Sequence, residues 1–421
     1  MARNTVWHPF TQHGLDPEET PIARGEGAWL ETSDGRRIFD GISSWWVITH
    51  GHRHSAIVAA ARDQLDRLDQ VIFAGFTHEP AERLAGKLVA CAPKGLAHVF
   101  YSDSGSTAVE VALKMALGYW RNIGAPRTRI AALEHGYHGD TIGTMSAGAR
   151  GVFNAAYAPL LFDVTRIPFP HPGREQETYD ALEAAGRDGG LAALIAEPLI
   201  AGAGGMLIHT PAALAEMKRI CEAAGALFIA DEVMTGWGRT GTLFACEQAA
   251  VTPDILCIAK GLTGGSLPLA ATLATPAIFD VHLSRDRMQT FFHSSSFTAN
   301  PVCCAAALAN LEIWEREPVR ARIAALADAQ ARALAGLSET HFENPRRIGT
   351  IAAVDLKVED AGYLANAGPA LRAHFLAHDL LLRPLGNTIY VMPPYCTTEA
   401  DLAKVYDAIR AAPQALAAAT S

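Results

Sequence analysis

The chain contains no Cys-x-x-Cys pair, and its cysteines are odd in number: Cys91, Cys221, Cys246, Cys257, Cys303, Cys304 and Cys396. A disulfide framework and a structural zinc site are therefore not expected, and a reducing, cytoplasmic setting fits. Basic residues are fewer than acidic ones, 35 against 44, for a formal net charge of −9. That balance argues against nucleic acid or an anionic membrane surface as a partner. Charge is sparse overall at 19%, while 49% of residues are apolar, so a large core can form and disorder is not expected. No internal repeat or low-complexity tract occurs, and Met1–Asn4 leads into no apolar core of a signal peptide. One stretch, 261–279, has no charge at all, but Gly261, Gly264, Gly265, Pro268 and Pro276 make it read as loop and strand rather than as a membrane span. A length of 421 residues makes two domains the simplest expectation.

What the chain does have is alternation. Between about residues 80 and 310, short apolar runs read as strands: His98–Tyr101, Arg129–Leu133, Leu194–Glu197, Ala226–Asp231, Ile255–Ala259 and Leu269–Thr272. Helical stretches lie between and after them, including Thr107–Ile123, Pro211–Ala224 and Pro301–Glu315. This order predicts an α/β fold, a mostly parallel sheet covered by helices on both faces. From about residue 316 the pattern becomes a long helix (Val319–Leu337), strands at Gly349–Val358 and Ile389–Met392, and a final helix near Glu399–Ala411. That reads as a smaller α+β domain. The N-terminal stretch, with a hairpin expected around Ser33-Asp34-Gly35, is expected to join it. The expected division is 1–60 for the N-terminal segment, 61–315 for the large domain and 316–421 for the small one.

Two buried-looking strands end in groups that carry chemistry. Ala226–Ala230 ends in Asp231, and Ile255–Ala259 ends in Lys260 before a glycine-rich loop. Ligands of such sheets collect beyond the carboxyl ends of the strands, where Glu197 also falls. A lysine there suits an imine with pyridoxal phosphate, and an aspartate suits the protonated pyridine nitrogen. Burial favours the neutral amine of Lys260; Asp231 read alone is also a candidate helix cap. Tyr101-Ser102-Asp103-Ser104-Gly105-Ser106-Thr107 follows a strand and opens a helix, so it reads either as a phosphate site or as an ordinary cap. Tyr137, in Glu134-His135-Gly136-Tyr137-His138-Gly139-Asp140, reads as a ring able to stack on a planar cofactor or as part of a surface loop. The adjacent Trp45 and Trp46 cannot share one core if the segment is extended. They read as one buried ring beside one at an interface, or as a wall of a substrate pocket. His50, His52 and His54 are read as a polar loop before a helix rather than a metal site.

Taken together, the segments resemble the class III, fold-type I, pyridoxal-phosphate aminotransferases. The resemblance rests on Asp103–Ser106, Gly136–Asp140, Glu197-Pro198, Ala230–Gly241, Pro253–Ile255 and Lys260-Gly261, in order across most of the chain. Trp7–Thr11, Ser43–Trp46, Arg383-Pro384 and Ile389–Tyr395 are most similar to the biotin-pathway branch of that family. The resemblance implies pyridoxal 5'-phosphate as cofactor, with Lys260, Asp231 and Tyr137 as catalytic residues. Gly105 and Ser106 would hold the phosphate, and Glu197 and Val233 would also contact the cofactor. Ser295 and Ser296 would reach it from the other subunit of a homodimer with shared active sites. Phe10, Trp45, Trp46, Ser294 and Arg383 would bind substrate. The implied acceptor is 8-amino-7-oxononanoate and the usual donor is S-adenosylmethionine, although some relatives use lysine. An ω-amino acid–pyruvate or diamine aminotransferase and a non-catalytic cofactor-binding regulator are the rivals. Two departures stand out: Phe10 where the family often has tyrosine, and His293-Ser294-Ser295-Ser296-Phe297 in place of a commoner His-Gly-Pro-Thr-Phe.

Overall fold

In the computed structural model, residues 5–15, 19–358 and 367–420 are described; Met1–Asn4 lie outside them. Seven strands form the central sheet: β1 (His98–Ser102), β2 (Arg129–Leu133), β3 (Thr165–Ile167), β4 (Leu191–Ala196), β5 (Leu227–Asp231), β6 (Ile255–Ile258) and β7 (Ala270–Ala274). Their order is β1-β7-β6-β5-β4-β2-β3. All neighbouring pairs are parallel except the two made by β7, which runs against β6 and β1. The mostly parallel sheet is thus as read from the alternation.

Every residue of β4, β5, β6 and β7 is buried, as expected for strands covered on both faces. Alternate side chains divide between two cores. Leu227, Ile229, Ile255 and Cys257 pack towards helix Gly105–Asn122, while Phe228, Ala230, Leu256 and Ile258 belong to the opposite core. Full burial of a side chain such as Phe228 contributes roughly 1.5–3 kcal/mol. That opposite core also takes side chains from helices Pro211–Ala223 and Pro301–Arg316.

The termini build smaller sheets. Trp29–Thr32 and Arg37–Asp40 form the expected hairpin, turning at Gly35 (φ +86°), and Leu380–Leu381 adds to it in parallel. Phe342–Ile348, Ile351–Leu356 and Thr388–Val391 form an antiparallel three-stranded sheet near helices Val319–Ala335 and Glu399–Thr420. Pro413 lies inside that last helix, which runs past the expected stop at Ala411. Among the described residues, no helix is long and apolar enough to cross a membrane.

Candidate active site

Three neighbouring strand ends supply the site. β5 ends on Asp231, which pairs with Cys257 of β6; β6 stops at Ile258 and the chain turns through Ala259 and Lys260. On the other side Ala230 pairs with Ala196 of β4, so Glu197, one residue on, comes level with Asp231. Asp231, Glu197 and Lys260 line one cavity of about 480 Å³.

Lys260 has a left-handed backbone (φ +47°). Such a conformation costs a non-glycine residue about 1–3 kcal/mol and persists only where its surroundings enforce it. The short turn Lys260–Thr263 ends in Gly264 and Gly265, at φ +66° and +88°. A Cβ on Gly265 would lie 2.5 Å from both the carbonyl carbon and the oxygen of Val47, so only glycine lets the turn approach that segment. The Lys260 side chain is half-buried, with Nζ 5.1 Å from the centroid of the Trp46 ring. Burial pushes its amine below the ordinary lysine range, opposed by the carboxylates of Asp231 and Glu197. The shift enlarges the neutral, nucleophilic fraction.

Asp231 is 4% exposed. Its Oδ1 accepts the Val233 N–H at 3.1 Å, and its Oδ2 lies 2.7 Å from His138 Nδ1. A carboxylate only accepts, so Nδ1 is the donor. Glu197 accepts the Tyr137 N–H at 3.0 Å and the Gly202 N–H at 3.1 Å, and burial pushes its carboxyl up to about 7. Burial also raises the Tyr137 phenol, with nearby Asp140 acting in the same direction.

The turn before helix Gly105–Asn122 is a helix cap that leaves room for an anion. Ser104 caps the helix: its Oγ accepts the Thr107 N–H at 3.2 Å, and Thr107 Oγ1 accepts the Ser104 N–H at 3.0 Å. The four leading N–H groups of a helix have no intrahelical partner. This box satisfies the outer two and leaves those of Gly105 and Ser106 for an anion beside the positive helix end. Both residues line the cavity. The cradle is tight: a Cβ on Gly105 would lie 2.5 Å from Val233 Cγ1, and one on Gly139 would lie 2.0 Å from Ser106 Oγ. A phosphate therefore fits at Gly105 and Ser106, with Lys260 and Asp231 in the same cavity.

The opposite end of the cavity is aromatic. Residues 43–46 are not extended: Ser43, Ser44 and Trp46 have φ of +54°, +58° and +67°. This backbone lets Trp45 and Trp46 line the same cavity, although Trp46 is 6% exposed and Trp45 44%. Trp46 Nε1 donates to the Tyr390 hydroxyl at 2.9 Å. Phe10 packs 5.7 Å from the Trp45 ring and edge-on to Phe153 at 5.9 Å. The Arg383 guanidinium lies 5.2 Å from the Trp45 centroid, and among the described residues it is the one arginine lining the cavity.

Phe10, Trp45, Trp46, Gly105, Ser106, Tyr137, Glu197, Asp231, Val233, Lys260 and Arg383 are thus brought together. Ser294, Ser295 and Ser296 are not among the cavity residues; Ser295 Oγ instead donates to Asp103 Oδ2 at 3.1 Å. His50, His52 and His54 bond different partners, Asn310, Asp40 and Glu317, and the rings of His50 and His54 meet edge-on at 5.9 Å. His138, Tyr390 and Phe153 also line the cavity, though none was expected there from the sequence. The first two sit inside motifs already singled out, whereas Phe153, in a loop, carried no signal.

The chain belongs to the class-III aminotransferases: the family model for Aminotransferase class-III matches residues 11–412. The adenosylmethionine-8-amino-7-oxononanoate aminotransferase of Synechococcus elongatus is 48% identical over 414 residues, spanning 96% of this chain and 97% of the relative. The crystal structure of the enzyme of the same name from Methanocaldococcus jannaschii superposes with a TM-score of 0.92 at 35% identity, over 97% of this chain and 96% of that one. A PLP-bound amine transaminase from an uncultivated Pseudomonas species gives 0.91 at 32% identity, over 98% of each chain. The protein is an aminotransferase.

Proposed function

We propose that this aminotransferase converts 8-amino-7-oxononanoate to 7,8-diaminononanoate, the amination step of biotin synthesis, with S-adenosylmethionine as amino donor. The cofactor is pyridoxal 5'-phosphate. When bound, it supplies an electron sink that stabilises a carbanion at the carbon bearing the amine. Lys260 Nζ would hold the aldehyde carbon, Asp231 the ring nitrogen, and the free N–H groups of Gly105 and Ser106 the phosphate. Val233 and Tyr137 would flank the ring, with Glu197 fixing the Tyr137 backbone.

The chain's own residues then divide the work. Lys260, with its lowered pKa, is the base that moves the proton at the reacting carbon. Asp231 keeps negative charge beside the ring nitrogen, braced by the Val233 N–H and His138. Arg383 binds the far carboxylate of the acceptor in a bidentate way. Trp45 and Trp46 enclose its methylene chain and exclude water. The observation that carries this reading is a lysine-and-aspartate strand end sharing one cavity with Arg383 and the tryptophan pair. We assign Ser294, Ser295 and Ser296 to the partner's site in a homodimer, and the protein to the cytoplasm.

A donor screen with 8-amino-7-oxononanoate held fixed tests the proposal. S-adenosylmethionine should support formation of 7,8-diaminononanoate. Turnover with lysine and none with S-adenosylmethionine would reassign the donor while keeping the acceptor.

A further inference from the structure

The turn that carries Lys260 is gripped by one side chain from outside the site. Asn310 lies in helix Pro301–Arg316 and is fully buried. Its Nδ2 donates to the carbonyls of Gly261 and Leu262, the two residues after the lysine, at 3.0 Å each. An amide nitrogen has two hydrogens, so both are used. Asn310 Oδ1 must then be the acceptor in its 2.8 Å contact with His50 Nε2, which fixes His50 with its proton on Nε2. Burial holds the His50 ring down to about 4, so it stays neutral at working pH. The segment of His50 grips the far end of the same turn. Thr49 N donates to Gly264 O at 3.3 Å, and Thr49 O accepts from Tyr395 N at 2.7 Å.

The left-handed Lys260 therefore sits at the head of a turn whose carbonyls at 261, 262 and 264 are all tied down. Two of the three ties come from the amide that His50 orients.

We infer that Asn310 and His50 are positioning residues for Lys260: together they hold the lysine turn so that Nζ meets the reacting carbon. The pair acts as one unit. Without Asn310 the carbonyls of Gly261 and Leu262 lose this donor inside the protein; without His50 the Asn310 amide loses the contact that sets which end faces the turn. A misplacement near 1 Å is enough to lower turnover about 100-fold. This inference rests on Lys260 being the reacting amine.

The test compares Asn310→Leu, His50→Leu, His50→Gln and the double variant Asn310→Leu/His50→Leu with Lys260→Ala. Four quantities are read: kcat and KM, the primary isotope effect with donor deuterated at its amine-bearing carbon, the Tm of the cofactor-free protein, and the rate at which that protein regains the visible absorbance of bound pyridoxal phosphate. Asn310→Leu and His50→Leu should each lower kcat about 100-fold with KM nearly constant. Both should raise the isotope effect and slow recovery of absorbance. The double variant should be no worse than either single change, because the two act as one unit. His50→Gln, whose amide nitrogen can replace Nε2, should recover most of kcat. Wild-type kcat and isotope effect in His50→Leu would overturn the inference, whether or not Asn310→Leu folds. So would a loss of activity that only follows the loss of folded protein, with no rescue by His50→Gln. Retained turnover in Lys260→Ala would instead overturn the role of the lysine itself.

Discussion

Replacing Gly105 with alanine should weaken cofactor binding without unfolding the protein. The added methyl would sit 2.5 Å from Val233 Cγ1 and 3.3 Å from Cγ2. Carbon atoms settle at about 3.5–4.0 Å, so the helix start and Val233 must separate by roughly 1 Å. Neither side can move freely. Val233 N–H braces Asp231, and the Gly105 and Ser106 N–H groups are the ones left for the phosphate. Overpacking of this kind costs about 1–3 kcal/mol. Against a typical native stability of about 5–15 kcal/mol, the fold should survive. A displaced donor forfeits a charge-assisted hydrogen bond of about 1.5–3 kcal/mol, which raises the Kd for pyridoxal phosphate roughly 10- to 100-fold. Titrating cofactor-free protein while following visible absorbance measures this directly. Val233→Ala provides the control: with both Cγ atoms gone, the nearest Val233 atom to the added methyl is Cβ, at an ordinary 3.5 Å. In that background Gly105→Ala should cost little. An unchanged Kd, or an equal loss with and without Val233→Ala, would refute the cradle.

Lys260→Ala should abolish both turnover and the visible absorbance of bound cofactor, as a spectrum and an end-point assay will tell. Arg383→Ala should raise the acceptor KM far more than the donor KM; equal effects would remove the carboxylate role. Glu197, with its carboxyl pushed up to about 7 by burial, keeps its proton between pH 4.5 and 7 in the folded state while the unfolded state loses it. The folded state then binds more protons, so stability falls as pH rises through that window, by about 3 kcal/mol for this one group. Glu232, also raised to about 7 by burial, adds a slope of the same sign, while His50, held down to about 4, adds one of the opposite sign. Both cancel in the difference between two proteins, so the stability advantage of wild type over Glu197→Gln, without cofactor, should fall by about 3 kcal/mol from pH 4.5 to 7. Denaturant titrations at several pH values check this, and an advantage that does not change with pH would show that Glu197 is ionised throughout.

The central sheet was legible because its strands are buried on both faces, which leaves apolar runs too long for a surface element. Strand β3 escaped notice, being three residues at the sheet edge with a charged centre, Thr165-Arg166-Ile167. β4 begins at Leu191, before the expected Leu194, since Ala192 and Ala193 carry little strand preference. Helix Glu399–Thr420 passes Pro413, a residue that ordinarily marks a stop. In the site, Asp231, Glu197 and Lys260 could be found because strand ends are fixed by the strands. Trp45 and Trp46 could not be oriented, because their orientation depends on three left-handed residues that are not glycine. Asn310 was equally hidden. A polar residue among the buried, mostly apolar positions of a helix becomes meaningful only once its two carbonyl partners are known.

The most direct test of the proposed acceptor is competition in one reaction between 8-amino-7-oxononanoate and pyruvate for the amine held by the purified enzyme. A cavity lined by Arg383, Trp45 and Trp46 should favour the long acid by about 100-fold or more in kcat/KM. Preferential amination of pyruvate, with β-alanine or putrescine as efficient donors and no 7,8-diaminononanoate formed, would contradict the assignment and make the protein an ω-amino acid or diamine aminotransferase.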